Sequence, residues 1–271
     1  MQGIQDLFTK LIFFLTVVPY IKNLLAGLRR WALIRQIETE RGSKVIQMIH
    51  RQPSGILGAL SQRYINLDDA ESIMKQVREA GDKPIDLVLH TPGGLVIAAE
   101  QIARVLQAHP AKVTVIVPQF AMSGGTFVAL AADEILMDTH AMLGPVDPQL
   151  NGLPASGFRR VMKEKDHNAI SDEMIIMADM AEKAEKQLFD AAKHLLLDRM
   201  EVAQAEYVAK LLSEGRWTHD HPLYIEDLTE LGLPVTDEIP KAFRELLQLS
   251  GASQSSLFRA PERRDSMKKN A

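Results

Sequence analysis

The stretch KVTVIVPQFAMSGGTFVALAA, residues 112–132, joins a buried strand to a helix through a turn of small residues. Residues 112–118 are apolar and rich in β-branched side chains, which is typical of a strand. Residues 124–132 are apolar at helical length. The turn between them carries Ser123, and a sharp turn from strand to helix lifts a side chain clear of the backbone. The stretch therefore indicates an α/β protein and makes Ser123 a candidate nucleophile.

The glycine after Ser123 favours the same interpretation. The first amides of a helix have no partner within the helix, so their N–H groups point at negative charge that develops near the helix start. The N–H of Gly124 is therefore a candidate donor to an oxyanion. A second interpretation stays open, in which Ser123 only caps a helix, because serine is a preferred N-cap residue.

A second strand, turn and helix precede the first in the stretch IDLVLHTPGGL, residues 85–95. Residues 85–89 are predicted as a strand, and a helix is predicted to begin at Leu95. Glycine permits positive φ angles and leaves its amide uncovered, so Gly93 or Gly94 is a candidate for the second oxyanion donor. Two donors matter, because the removal of one typically costs about 3 kcal/mol of transition-state stabilisation.

Strands and helices alternate along most of the chain. Strands are predicted at residues 45–50, 85–89, 112–118 and 134–138. Helices are predicted at residues 69–80, 95–108, 124–132, 172–197 and 200–213. Such alternation implies mainly parallel strands with right-handed crossovers.

Four separated phrases resemble a known family. They are HTPGGL at 90–95, AMSGGT at 121–126, LGPVDPQ at 143–149 and GRWTHD at 215–220. In this order they resemble the Clp protease and signal peptide peptidase A group, and more closely the prokaryotic serine dehydrogenase proteinases. The resemblance implies an α/β fold in which βα units wind as a ClpP/crotonase-like superhelix.

The same resemblance implies an activity. The expected enzyme is an ATP-independent serine endopeptidase that self-associates and acts on polypeptides. Gly94 and Gly124 would form its oxyanion hole, and an extended substrate would pair with the strand edge at Gly93 and Leu95.

The base that Ser123 needs is harder to assign. Clp proteases carry a histidine just beyond the next strand, where this chain has LGPVDPQ and no histidine. Signal peptide peptidase A and its relatives use a lysine shortly before a long helix, and Lys165 lies 42 residues after Ser123 in that position. The resemblance therefore implies a dyad of Ser123 and Lys165. Three alternatives stay open: Lys163, Lys183 and His140.

The composition excludes several classes. The chain of 271 residues is 46% hydrophobic, which allows one large domain with a core. Its net charge of −4 gives no basic field for nucleic acid. The absence of cysteine excludes disulfides and thiolate catalysis. We expect no cofactor and no metal, since the cluster of His219, Asp220 and His221 lacks a distant third ligand. Asp147 is a candidate to orient a base or to brace a loop.

The N-terminal segment is strongly apolar. Residues 11–21 carry no charge and lie between Lys10 and Lys22, but this run is shorter than the ~20 residues that a membrane span needs. It is a candidate membrane anchor at the interface or an oligomerisation helix. The arginines that follow it would keep the rest of the chain in the cytoplasm, at the inner face of the membrane if the segment is an anchor.

Three regions are predicted on this basis. Residues 1–40 form the apolar helix and a basic linker, residues 41–250 form the peptidase domain, and residues 251–271 form a flexible tail.

Two other classes of function stay open. A crotonase-like acyl-CoA enzyme would polarise a thioester with the same oxyanion hole, although the exposed Ser123 would then have no role. A membrane-associated oligomeric scaffold without a base would catalyse nothing.

Overall fold

The computed structural model describes residues 13–50 and 63–251. Its helices are α1 (Val18–Arg41), α2 (Leu67–Ala80), α3 (Val96–Gln107), α4 (Gly124–Ala129), α5 (Ala155–Glu164), α6 (Asp172–Leu196), α7 (Val202–Ser213), α8 (Ile225–Glu230) and α9 (Lys241–Gly251). Its strands are β1 (Lys44–Ile49), β2 (Ile85–His90), β3 (Val113–Val117), β4 (Phe120–Ala121), β5 (Glu134–Met137), β6 (Met142–Leu143), β7 (Gln149–Leu150), β8 (Leu153–Pro154) and β9 (Val235–Thr236).

Five of these strands form one parallel sheet in the order β1-β2-β3-β5-β9. Every residue of β2 and β3 is buried, as expected of parallel strands that are covered on both faces. The predicted α/β fold with mainly parallel strands is therefore confirmed. Two short pairs lie outside this sheet: β4 with β6, which is parallel, and β7 with β8, which is antiparallel.

The side chains of the sheet divide between two cores, because successive residues of a strand point to opposite faces. On one face, Leu87 of β2 joins the large core that includes residues of α2, α3 and α7. On the other face, the neighbouring Val88 packs with Ile37 of α1 and Phe243 of α9. Helices α1 and α9 therefore cover the second face of the sheet.

Helix α1 is tied to the sheet by an ion pair at its end. The guanidinium of Arg41 donates two hydrogen bonds to the carboxylate of Asp86 in β2, at 2.7 and 2.9 Å. The hydroxyl of Ser43 donates another to the same carboxylate at 2.5 Å. Asp86 is only 2% exposed, and its hydrogen bond and negative charge raise the pKa of Arg41. Arg41 therefore stays charged at neutral pH.

The predicted domain boundary after residue 40 falls inside a helix. Helix α1 continues to Arg41, and its Ile37 is buried against the sheet, so the end of the N-terminal segment belongs to the domain core. Apart from Gly251, the tail predicted for residues 251–271 lies outside the described residues. Across the two described ranges, no helix combines the length and the apolar character that crossing a membrane requires.

We expect Asp86→Asn to lower the free energy of unfolding by about 3 kcal/mol, because it leaves Arg41 and Ser43 without a charged acceptor in a buried setting. Chemical denaturation measures this loss. Lys112→Met is the matched control, since it removes an exposed ion pair with Glu134 and should cost less than about 1 kcal/mol. Equal losses in the two variants would contradict a special role for the buried pair.

Candidate active site

A cavity of about 290 Å³ lies at the carboxyl ends of two neighbouring strands. Residues 91–95, which we call the glycine turn, follow β2 and bring Gly94 to its wall. Residues 121–125, which we call the serine turn, bring Ser123 and Gly124 to the same wall. Asp147 and His219 line it from segments beyond β6 and α7. The carboxyl ends of parallel strands are where open α/β sheets usually bind ligands.

Ser123 has a strained backbone. Its φ of 51° and ψ of −116° lie outside the regions that residues other than glycine ordinarily adopt, which costs about 1–3 kcal/mol. Its side chain makes no capping hydrogen bond to α4. The interpretation of Ser123 as a simple helix cap therefore fails. The residue instead lines the cavity, as a nucleophile on a strand-to-helix turn does.

Main-chain hydrogen bonds hold the two turns together. The N–H of Thr91 donates to the carbonyl of Phe120 at 3.2 Å, and the N–H of Met122 donates to the carbonyl of Thr91 at 2.9 Å. A Cβ on Gly93 would lie 2.8 Å from the Cβ of Ser123, closer than side chains approach each other. Glycine at position 93 therefore allows the glycine turn to touch the serine turn.

The amides of Gly94 and Gly124 are neighbours. A Cβ on Gly124 would lie 3.4 Å from the nitrogen of Gly94. Ile65 pairs with Gly94 in a parallel bridge whose hydrogen bonds involve the carbonyl of Gly93 and the N–H of Leu95. The N–H of Gly94 therefore points away from Ile65. Within residues 13–50 and 63–251, neither of these two amides donates a hydrogen bond to another group of the chain. Both are therefore available to an oxyanion in the cavity.

The bridge to Ile65 corrects the expected substrate contact. The N–H of Ile65 donates to the carbonyl of Gly93 at 2.7 Å, and the N–H of Leu95 donates to the carbonyl of Ile65 at 2.8 Å. Ile65 is fully buried. The main-chain groups of Gly93 and Leu95 that were assigned to substrate are thus already paired within the chain. A substrate strand at this edge cannot use them while Ile65 stays in place.

An imidazole and a carboxylate meet at the cavity. Asp147 is 3% exposed, and its Oδ1 accepts a hydrogen bond from Nδ1 of His219 at 2.9 Å. Its Oδ2 accepts a second bond from the side-chain amide of Gln149 at 2.7 Å. Because an ionised carboxylate can only accept, Nδ1 of His219 carries the hydrogen, and the acceptor of the neutral ring is Nε2. A carboxylate that accepts the Nδ1 hydrogen of a histidine leaves Nε2 as the acceptor, which is the arrangement of a histidine general base.

The segments that carry Asp147 and His219 are bonded to each other. The N–H of Val146 donates to the carbonyl of Leu212 in α7 at 2.9 Å. Leu143 of β6 forms an antiparallel bridge with Leu223, whose two hydrogen bonds measure 3.0 and 2.9 Å. Both contacts lie before Asp147 in one segment, and they lie before and after His219 in the other, so they fix one segment against the other.

The cluster of two histidines in the sequence does not converge on one point. His219 bonds Asp147, while the ring of His221 stacks on Trp217 with centroids 5.3 Å apart. In the part of the chain that the structure describes, no three histidine, aspartate or glutamate side chains are grouped so that they could hold a metal ion.

The structure does not bring Lys165 to the cavity. Helix α5 begins beside the cavity, where the N–H of Ala155 donates to the carbonyl of Pro148 at 3.0 Å. Lys165 is the C-cap at the other end of this helix, about 15 Å along its axis, and is exposed. The position of Lys165 shortly before the long helix α6 is as expected, but the chain forms a separate helix before it, which carries Lys165 away from the cavity.

The alternative bases also lie elsewhere. Lys163 is exposed on α5, and His140 is exposed in the turn after β5. Lys183 is exposed on α6 and pairs with Asp179 at 2.5 Å. None of them is among the described residues that line the cavity.

Sequence reasoning missed His219 as a site residue. The available signal was that LGPVDPQ and GRWTHD each carry a titratable residue, and that both phrases lie after the serine turn. Their meeting depends on the bonds between β6, α7 and Leu223, which no local pattern encodes.

The main sheet is parallel, and a strained serine lies with Gly94, Gly124 and His219 at one cavity, an arrangement that serine hydrolases use. The chain belongs to the family of ClpP-like SDH-type serine proteinases, whose model matches residues 1–260. The resemblance to the serine dehydrogenase proteinases is thereby confirmed.

Relatives and a solved structure are similar to this chain. The uncharacterized proteins MJ0137 and MJ1495 of Methanocaldococcus jannaschii are 46% and 43% identical to it, over 88% and 92% of this chain and 84% and 86% of theirs. A mutant of the 1510-N membrane-bound stomatin-specific protease has a TM-score of 0.46 and 19% identity, over 76% of this chain and 83% of that one.

We expect Gly94→Ala to damage the site. The new Cβ would lie 2.3 Å from the nitrogen and the oxygen of Ile65, so the glycine turn must move. Such overpacking typically costs about 1–3 kcal/mol, and the displaced amide should slow fluorophosphonate labelling of Ser123. Thermal unfolding and labelling rates measure both effects. In the control Gly157→Ala on α5, the nearest atom is 3.8 Å away. An unchanged labelling rate in Gly94→Ala would contradict the close approach of Gly94 to Ile65.

Proposed function

We propose that this chain cleaves peptide bonds with Ser123 as nucleophile, His219 as general base and the amides of Gly94 and Gly124 as oxyanion hole. Membership of a serine proteinase family supports the reaction class. The observation that carries the residue assignment is that Ser123, both glycines and His219 line one cavity. Asp147 acts through His219, because its carboxylate accepts the Nδ1 hydrogen and stabilises the charged ring.

In the first step, Oγ of Ser123 attacks the carbonyl carbon of the scissile bond, and Nε2 of His219 takes the hydroxyl proton. The carbonyl oxygen becomes an oxyanion that accepts hydrogen bonds from Gly94 and Gly124. The C–N bond then breaks, and His219 returns the proton to the leaving amine. An acyl group remains on Ser123.

In the second step, a water molecule gives a proton to His219 and attacks the acyl carbon. The bond to Oγ breaks, and His219 protonates Ser123 again. The product is a free carboxylic acid, and the enzyme regains its starting state.

His219 replaces Lys165 as the proposed base for two reasons. A lysine acts as a general base when burial or a neighbouring cation lowers its pKa, and Lys165 is exposed. His219 lines the cavity of Ser123 and has its second nitrogen held by a buried carboxylate. The chain order of serine, aspartate and histidine is no objection, since such constellations are recognised by geometry and roles rather than by sequence position.

The cavity wall favours an apolar side chain next to the scissile bond. Val96, Phe127 and Leu188 line it together with Ala99 and Val146. Burial of an apolar side chain there would contribute binding energy of about 1.5–3 kcal/mol. The substrate class is therefore a polypeptide with an apolar residue at the cleavage site.

Self-association and membrane attachment stay predictions. Ile175, Ile176 and Met180 of α6 are exposed in the single chain and are available to a second copy. Leu24 and Trp31 of α1 are exposed as well, and the segment from residue 7 to 37 carries basic residues and no acidic one. These features support an inner-face membrane contact at an anionic surface.

We expect a fluorophosphonate to label Ser123 and to stop degradation of fluorescein-labelled casein. Peptide mapping locates the adduct, and Ser123→Ala should abolish both signals. Ser72→Ala, on the exposed face of α2, is the matched control and should retain them. Activity should be equal with and without ATP, and the products should include internal fragments. A folded wild-type protein without an adduct at Ser123 would favour the acyl-CoA or scaffold alternatives.

We expect His219→Ala to lower the labelling rate on the order of 10³–10⁴-fold, because no group then accepts the proton of Ser123. Added imidazole should restore part of the rate by entering the vacated volume. His221→Ala is the control from the same loop, and Lys165→Ala tests the replaced assignment. A rate that survives in His219→Ala but disappears in Lys165→Ala would return the base to Lys165.

A further inference from the structure

We infer that His50 and Asp69 are positioning residues of the oxyanion hole, which act on the glycine turn through the hydroxyl of Thr91. The inference rests on the proposed function, in which the amide of Gly94 binds the oxyanion. It gives a role to a buried imidazole that does not line the cavity of Ser123.

A chain of four groups leads from helix α2 to the glycine turn. Asp69 of α2 places its Oδ2 3.2 Å from Nε2 of His50. Nδ1 of His50 lies 2.8 Å from the hydroxyl of Thr91, and that hydroxyl accepts the N–H of Gly93 at 3.2 Å. His50 is 6% exposed and Thr91 is fully buried, so water does not compete for the bond between them, whereas the side chain of Asp69 is 27% exposed.

One arrangement of hydrogens satisfies every group in this chain. The N–H of Gly93 can only donate, so the hydroxyl oxygen of Thr91 accepts there. The hydroxyl then has its own hydrogen left, for which Nδ1 of His50 at 2.8 Å is a closer acceptor than the carbonyl of Gly93 at 3.4 Å. His50 is therefore the tautomer with its hydrogen on Nε2, which it donates to the carboxylate of Asp69.

The glycine turn is held by close main-chain packing and by hydrogen bonds. A Cβ on Gly94 would lie 2.3 Å from the main chain of Ile65, and a Cβ on Gly93 would lie 2.8 Å from the Cβ of Ser123. Gly94 lines the cavity of Ser123, and it also lines a second cavity of about 570 Å³ next to His50 and Asp69. The bonds to Ile65 hold the groups on either side of Gly94, and the hydroxyl of Thr91 holds the amide before it.

Thr91 is the junction of the two turns. Its main chain bonds Phe120, directly before the serine turn, and Met122 within it, and its methyl group would lie 2.5 Å from a Cβ on Gly125. The hydrogen bond between its hydroxyl and His50 fixes the side-chain rotamer of Thr91. A change at His50 therefore reaches the amides of the oxyanion hole without any contact between His50 and substrate.

The test is the rate of fluorophosphonate labelling, resolved into kinact and KI. Thr91→Val keeps the side-chain volume but removes the hydroxyl, and His50→Leu removes the acceptor for it. Each should lower kinact by about 10²-fold, since a donor displaced by about 1 Å costs this much. KI should stay the same, because the probe binds the cavity wall before it reacts.

Rescue distinguishes positioning from a structural role. Thr91→Ser restores the hydroxyl and should retain most of the wild-type kinact. His50→Asn restores an acceptor near the position of Nδ1 but not the contact with Asp69, so it should retain part of the wild-type kinact. The matched controls are Thr114→Val, which removes a buried hydroxyl in β3, and His109→Leu, which removes a half-buried histidine that lines neither cavity. Both should label at the wild-type rate.

Three results would overturn the inference. They are a wild-type kinact in both Thr91→Val and His50→Leu, a loss in Thr91→Ser equal to that in Thr91→Val, and a loss that follows only the fall in melting temperature. If Thr91→Val does not fold, the two His50 variants decide the question alone. A wild-type protein without label at Ser123 would instead refute the proposed function.

Discussion

The pairing of the glycine turn with the serine turn is the constraint on which the rest of the site depends. Thr91 exchanges main-chain hydrogen bonds with Phe120 and Met122, directly before Ser123. Two parallel strands end side by side, and this pairing continues their contact beyond the sheet. It brings a strained serine and two unpaired amides to one cavity wall, and it requires glycine at the points where the backbones touch.

The two residues proposed for acid–base chemistry reach the same cavity from other segments of the chain. Asp147 and His219 come from segments that follow β6 and α7, and the bonds between these segments make the two side chains meet. In the proposed mechanism, turns that follow strands of the sheet supply the nucleophile and the oxyanion donors, whereas the segments after β6 and α7 supply the base and its carboxylate. The same chain also fills the strand edge beside Gly93 with Ile65, so the substrate must lie on the cavity side of the glycine turn.

Local patterns in the sequence predict the parts of the site that are local. The alternation of strands and helices, Ser123, Gly94 and Gly124 all follow from short stretches whose turn chemistry is visible in the residues. The residue at which α1 ends and the identity of the base depend on contacts between segments that are distant in the sequence. Lys165 has the spacing expected of a lysine base, but helix α5 carries it away from Ser123, and spacing along a chain gives no direction in space. His219 meets Asp147 across 72 residues, and His50 meets Thr91 across 41.

The most direct test of this account is a crystal structure of the protein after reaction with a fluorophosphonate. The account predicts phosphorus bonded to Oγ of Ser123, with one phosphoryl oxygen 2.7–3.1 Å from the nitrogens of both Gly94 and Gly124. It also predicts Nε2 of His219 within hydrogen-bond distance of an oxygen bonded to the phosphorus. A phosphoryl oxygen that contacts neither amide, or a lysine in the place of His219, would contradict the account.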